Sequence, residues 1–400
     1  MRKINKDFIP LLIVFVLHCN DVKVSVVKVS ELMLLLYGFL FFPKYHRVSE
    51  IFFSLFTIFL IVTLVQNAFF DFDYTVALNI LQEPYWCSIG RYVELLCCLF
   101  FVEVVVRYIN NEGVERACRK IFHTNYTFLK FLLMLYLLER FHLFEKFDVI
   151  TESGRLCGFF NEGGPFGLLI ALLIVLSFKF KRPKKEKLLL FVCLLLSASK
   201  AGVMLLVIVA FTWFYIKYRH NKKVRFVFAL ILIPVTIAVG YVGYILVSQY
   251  GVYWVDSDLA FQYAEDNPDD YNFTAGRISG LYIGYEMFVR NPLVGIGLGN
   301  YPVLRNLTEY RSFFPQVSIY DSMSFGGVAD ILVQQGLIGL VLFFRVLLGR
   351  YKRCGHSYYI LLFLAVLMCG VQLTFAYPWL LIALNNNEPS LKCATSLNSR

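Results

Sequence analysis

The chain has 400 residues, of which 58% are hydrophobic, 17% aromatic and only 16% charged. Apolar residues in long runs at this density exclude an ordinary soluble domain and describe a polytopic membrane protein. The formal net charge of +10 does not describe a nucleic-acid surface, because the lysines and arginines sit in short loops with no folded domain to gather them into a patch.

A helix needs about 20 apolar residues to cross ~30 Å of hydrocarbon, and only helices or closed barrels satisfy the backbone there. Counting such runs predicts an all-α membrane protein with about 11 (10–12) transmembrane helices. They fall at 8–20, 24–43, 49–70, 85–108, 124–147, 163–180, 187–199, 201–217, 224–247, 323–348 and 356–384. The first, second, seventh and eighth are short, and Asn20-Asp21-Val22-Lys23 separates the first two. Either pair can therefore be a hairpin that does not fully cross.

Lys and Arg are retained on the cytoplasmic side of short loops. The basic clusters are Arg2-Lys3-Lys6, Lys44 to Arg47, Arg107 to Lys120, Lys179 to Lys187, Lys217 to Arg225 and Arg345 to Arg353, and all fall on one side of the span list. This puts the N-terminus in the cytoplasm. Three regions follow: transmembrane helices 1–9 over 1–250, one large extracytoplasmic (periplasmic) loop over 251–322, and C-terminal helices and tail over 323–400. The first apolar run has no small-residue cleavage site behind it and reads as a retained span. Cys97, Cys98, Cys193 and Cys369 lie inside apolar runs, and no Cys or Cys/His spacing suits a metal.

In the fourth span Arg91 and Glu94, three apart, share a helix face and can neutralise each other. On the outer side, basic residues run against the retention rule and need a reason. Arg155 lies in the Gly-rich stretch 152–165, which also holds Glu162 and leads into the sixth span. Its backbone can approach a ligand closely, or the side chain can snorkel to headgroups. Lys200 sits in Ser197-Ala198-Ser199-Lys200-Ala201-Gly202, with almost no loop to carry it into water. It either meets a partner or ligand at that depth or marks a helix end.

The acidic residues Asp256 to Asp270 read as a solvated face. Arg277 then opens an amphipathic run through Tyr282, Tyr285 and Arg290 to Asn291-Pro292. Gly295, Gly297 and Gly299 follow with GxGxG spacing, which is not the dinucleotide pattern; a flexible turn is the plainer reading. Asp321 stands at the end of the loop, and Asp330 inside the tenth apolar run, where an ionisable group usually faces a cavity or partner. Tyr282, Tyr285, Tyr301 and Tyr320 can stack on sugar rings or belong to an interfacial belt.

Three phrases, Gly276-Arg277, Asn291-Pro292-Leu293-Val294-Gly295-Ile296-Gly297-Leu298-Gly299-Asn300 and Gln335-Gly336-Leu337-Ile338-Gly339, resemble the O-antigen ligase / O-antigen polymerase superfamily of bacterial membranes. Arg155 with Gly158 and Phe160-Asn161 is similar to an earlier motif of that family, and Ser199-Lys200 occupies the place of its Ser-Arg. The ordered matches cover 150–345; the first 140 residues match only as spans. Ligases of the family carry His-Asn where this chain has Phe325-Gly326, and residues 251–322 hold no histidine, which favours the polymerase branch.

The resemblance implies a bacterial inner-membrane, multi-pass polysaccharide polymerase joining undecaprenyl-diphosphate-linked repeat units on the outer face. It implies no cofactor or metal, and a flippase and chain-length regulator as protein partners. Arg155 and Arg277, supported by Lys200 and Arg290, would hold the diphosphate. Asp321, Glu162 or Asp330 would take the acceptor's proton, and Tyr282, Tyr301, Gly295 and Gly297 would line the sugar path. The alternatives are a ligase transferring glycan to lipid A core and, without bond formation, a flippase or transporter. Transporters tend to show internal repeats, and none is visible here.

Overall fold

A computed structural model describes residues 8–24, 27–41, 47–70, 83–143, 147–151, 153–218, 257–267, 277–312, 314, 316, 326–354 and 357–387. Among the described residues its regular structure is helical apart from one short antiparallel ladder, Lys23–Val24 with Val27–Lys28, and an isolated antiparallel bridge between Ile150 and Leu156. Among the described residues four helices are long and apolar enough to cross a membrane: Ser49–Asn67, Val114–Arg140, Lys200–Tyr218 and Gly327–Gly349. Phe8–His18, Val29–Gly38, Gly163–Lys179 and Tyr358–Met368 are shorter apolar helices. The expected span at 224–247 lies outside the described residues.

The chain forms two compact units, one of Met1–Ile58, Arg91–Val209 and Val341–Arg400, the other of Phe59–Gly90 and Ala210–Leu340. In the first, the helix Gly163–Lys179 is apolar all round and buried from Phe166 to Ser177, as a central helix must be. The helix Lys184–Ser197 packs back on it across a turn in which Arg182 binds Glu186 through two hydrogen bonds of 2.8 Å. The helix Phe8–His18 packs on Val114–Arg140, where His18 Nε2 lies 2.7 Å from Asn125 Oδ1.

The Arg91–Glu94 pair forms at 2.6 Å, and the ladder residue Lys28 joins it, 2.7 Å from Glu94 and 3.4 Å from Glu31. This balanced set of two cations and two carboxylates is largely buried. It fixes the start of Val29–Phe41 to Pro84–Glu112.

Two sequence boundaries need correction. The run 356–384 is two helices, Ser357–Met368 and Ala376–Asn387, which pack together across a turn that bends at Gly370 (φ 84°). Trp379 anchors the return, donating from Nε1 to Leu373 O at 2.7 Å and meeting Phe52 edge-on at 5.2 Å. The run 124–147 belongs to a helix that begins at Val114 and ends at Arg140. Its first turns carry Glu115, Arg116, Arg119 and Lys120, so hydropathy does not reveal them although the backbone continues.

In the second unit the apolar core is built from Ile283, Met287, Ile296, Tyr301, Leu304, Tyr310, Phe314 and Val333. The helix Gly327–Cys354 is broken at Gly336 (φ 62°, ψ −168°). A break in an apolar helix frees backbone donors and acceptors that hydrocarbon cannot satisfy. Residues 292–297 satisfy them. Ile296 N and Gly297 N donate to Val333 O (3.0 Å) and Gln334 O (2.8 Å), while Leu337 N and Ile338 N donate to Pro292 O (2.9 Å) and Leu293 O (3.1 Å).

The contact is backbone against backbone, which is why glycine stands on both sides. A Cβ on Gly295 (φ 70°) would lie 2.5 Å from Gln334 C, and one on Gly336 would overlap the Leu293 carbonyl. The GxGxG stretch, open to a flexible-turn reading in sequence, is thus clamped in place. Gly336→Ala meets a backbone region essentially restricted to glycine, a cost of about 1–3 kcal/mol, in addition to the overlap. Its melting temperature in detergent should fall well below wild type. Gly349→Ala, where a Cβ meets nothing within 4 Å, should be neutral or gain up to about 1 kcal/mol.

Candidate functional site

The first unit gathers several turns at one place. The helix Lys184–Ser197 ends at Ala198 in the left-handed conformation (φ 46°, ψ 34°), which turns the chain directly into Lys200–Tyr218. Ser199 caps that helix: its Oγ accepts from Gly202 N at 3.1 Å and donates to Gly164 O at 3.1 Å. The approach is close because both partners are glycines. A Cβ on Gly202 would lie 2.5 Å from Gly167 O, and one on Gly167 would overlap Ser199. The starts of Gly163–Lys179 and Lys200–Tyr218 therefore sit side by side, and Lys200, the first residue of its helix, is exposed.

Arg155 reaches the same place on a tight turn. Gly154 N donates to Thr151 O (2.8 Å), Thr151 N to Arg155 O (2.9 Å) and Arg155 N to Thr151 Oγ1 (3.2 Å). Leu156 N then donates to Leu196 O at 3.0 Å, docking the turn on the end of Lys184–Ser197. The Cβ direction of Gly163 points 3.0 Å from Ser197 O and 3.7 Å from Arg155 Cβ. Glu162 is the residue before Gly163–Lys179, and its carboxylate is exposed. Asn161 N donates to Asp21 Oδ2 at 3.3 Å, and Phe160 packs on Phe375 with centroids 6.0 Å apart.

Arg155, Glu162 and Lys200, far apart in sequence, thus share one loop cluster. Two exposed cations beside two helix N-termini, whose first N–H groups lack intrahelical partners, favour an anion.

The second unit holds the other sequence candidates. Arg277 opens the helix Arg277–Arg290; its side chain lies outside the described residues, as do Asp321 and Tyr320. Arg290 is exposed, 3.8 Å from both Glu286 and Glu309, and above the Tyr310 ring. Tyr282 packs on Phe314 at 5.5 Å, while Tyr285 is exposed. Tyr301 is buried in the apolar core, so its ring is committed to packing.

Gly295 and Gly297 lie on a buried amide and hydroxyl seam. Asn300 Nδ2 donates to Asn67 Oδ1 (2.6 Å) and Ile296 O (2.8 Å), Leu298 N to Thr63 Oγ1 (2.7 Å), Gly299 N to Gln334 Oε1 (3.0 Å) and Gln66 Nε2 to Gly295 O (3.0 Å). Asp330 is buried one turn into Gly327–Cys354.

Sequence reasoning passed over two residues. Arg305 is 1% exposed, with its guanidinium carbon 5.9 Å from the Tyr301 ring centroid. Burial pushes the Tyr301 phenol up to about 12, Arg305 opposing and Asp330 reinforcing the shift, so all three groups are electrostatic neighbours. Arg305 was open to detection: it lies in the same hydrophilic island as Arg277 and Arg290. Asp21 gave a weaker signal, a carboxylate in a very short turn between apolar runs.

These features define a helical membrane protein with a cationic loop cluster and a glycine-clamped broken helix. Residues 187–344 match the family model described as O-antigen ligase, in keeping with the O-antigen ligase / polymerase superfamily of membrane glycan-processing enzymes. The match includes Lys200, Arg277, the glycine stretch and the helix break, and begins after Arg155. A comparison with curated proteins gives no match.

Ser199→Ala removes the helix cap and the bond to Gly164 and should cost about 1 kcal/mol of stability, read as a lowered melting temperature in detergent. Ser199→Thr keeps the hydroxyl but adds a methyl against Gly167, and should not fully restore stability.

Proposed function

We propose that the protein is a polysaccharide polymerase that joins undecaprenyl-diphosphate-linked repeat units on the outer face of a bacterial inner membrane. The observation that carries this reading is the gathering of Arg155 and Lys200 at two adjacent helix starts. As the glycosidic bond to the carrier breaks, negative charge develops on the diphosphate. Charge-assisted, bidentate hydrogen bonds from a guanidinium stabilise that charge more strongly than the dipoles do. Arg277, in the second unit, is proposed as the other essential guanidinium, and a carboxylate takes the proton of the acceptor hydroxyl.

The proposed topology has a cytoplasmic N-terminus, about eleven spans with the last run folded as a hairpin, and residues 251–322 outside. The turns at 20–22, 151–162, 198–199 and 369–375 would all face outward under this topology. Three contacts support it: Asp21 with Asn161, Leu156 with Leu196, and Phe160 with Phe375.

Phe325-Gly326 in place of His-Asn favours a polymerase, while the description of the matching family supports a ligase as the second reading. A gel of surface polysaccharide from a deletion strain separates them. Polymerase loss leaves single repeat units; ligase loss leaves long lipid-linked polymer unattached to core. A transporter would make no longer glycans from purified lipid-linked units.

Arg155→Ala and Arg277→Ala should each lower chain extension by about 100-fold or more, with the protein still in the membrane. Lysine at either position should restore little, because it lacks the planar fork. Near-normal chain lengths in both alanine variants would remove the diphosphate clamp.

A further inference from the structure

We infer that Asp21, on the turn between the first two helices, is the general base of the transfer; this rests on the polymerase reading above. Asp21 Oδ2 accepts a hydrogen bond from Asn161 N at 3.3 Å. That amide is one residue from Glu162 and two from Gly163, whose Cβ direction points at Arg155 Cβ. The carboxylate is thus tied to the loop that carries the cation of the proposed clamp.

Its surroundings suit a base rather than a structural ion pair. Asp21 is half-buried, so one side remains accessible. Among the described residues it makes no ion pair; Lys28, the cation on the neighbouring strand, is engaged by Glu94 at 2.7 Å and Glu31 at 3.4 Å. The groups facing it are the neighbouring Asn20 side chain, Lys23 and Lys28 from the ladder, the Asn161 amide from the 155–162 loop and Tyr377 from the C-terminal hairpin. Tyr377 Oη is buried and has no hydrogen-bond partner among the described residues. Burial raises the Asp21 carboxyl above its ordinary range, with Lys28, the Asn161 amide and Lys23 opposing. Glu162, by contrast, is exposed.

In the step, the acceptor hydroxyl gives its proton to Asp21 and its oxygen forms the bond to the anomeric carbon. The bond from that carbon to the diphosphate oxygen breaks, and its electron pair leaves with undecaprenyl diphosphate. Asp21 then releases the proton to water.

The test uses the full chain in detergent with lipid-linked glycan extracted from the deletion strain. Asp21→Asn keeps an oxygen to accept from Asn161 but removes the basicity. Extension should fall by about 100-fold or more. Protection of the variant by undecaprenyl diphosphate against thermal unfolding should match wild type. The wild-type rate should rise with pH as the carboxyl ionises, and the residual rate of Asp21→Asn should lack that acid limb. Asp21→Glu should recover part of the rate. Wild-type extension by Asp21→Asn, a surviving acid limb, or parallel loss of undecaprenyl diphosphate protection would each overturn the assignment. Failure of wild type itself to lengthen the probe would overturn the polymerase reading and the base together, an outcome distinct from an active wild type with an active Asp21→Asn.

Discussion

Hydrocarbon offers no hydrogen bonds to a peptide group, and this constraint organises the second unit around one backbone contact. Breaking an apolar helix exposes donors and acceptors that each cost several kcal/mol if left unpaired in lipid. The glycine conformation at Gly336 costs about 1–3 kcal/mol. Four main-chain hydrogen bonds to residues 292–297 re-satisfy the break, so the pairing outweighs the strain. The docked segment then needs partners for its own polar groups, and the buried Thr63, Asn67, Asn300 and Gln334 with the half-buried Gln66 provide them.

The first unit applies the same economy of space at its loop cluster. Gly167 and Gly202 let two helix starts approach, and Ser199 bridges them. A helix terminus contributes about 0.3–1 kcal/mol toward an anion at an exposed site. A bidentate arginine contributes more when water is displaced. In the proposed clamp the helix starts would set direction, and Arg155 and Lys200 affinity. Both side chains are exposed, so under that proposal an anionic head would displace their water.

Much of this was legible in sequence wherever a residue's role depended on near neighbours. The apolar runs marked most helices, and the three-residue spacing of Arg91 and Glu94 marked their pair. The phrases around Gly295 and Gly336 were visible as motifs, but their mutual docking spans about forty residues and could not be read from either alone. The hairpin at Gly370 was hidden because Val371, Leu373 and Phe375 keep the turn largely apolar. Lys28 and Arg305 escaped notice because burial of a long cation depends on what folds over it, and no local pattern encodes that.

The family match starts at residue 187, so it contains Lys200 and Arg277 but neither Arg155 nor Asp21. In the proposed transfer a carboxylate accepts the acceptor's proton, and at neutral pH an ordinary exposed carboxylate is a weak base. Partial burial improves it only if no cation closes on it, since a tight ion pair would draw its pKa back down. At Asp21 that condition is met by the network around Lys28. Glu31 and Glu94 hold the nearby ammonium, so Lys28 opposes the rise at Asp21 while its own ion pairs are with those two carboxylates. A buried charge network in the N-terminal helices, silent in any motif search, can thus govern the basicity of a group at the opposite end of the sequence from the matched domain.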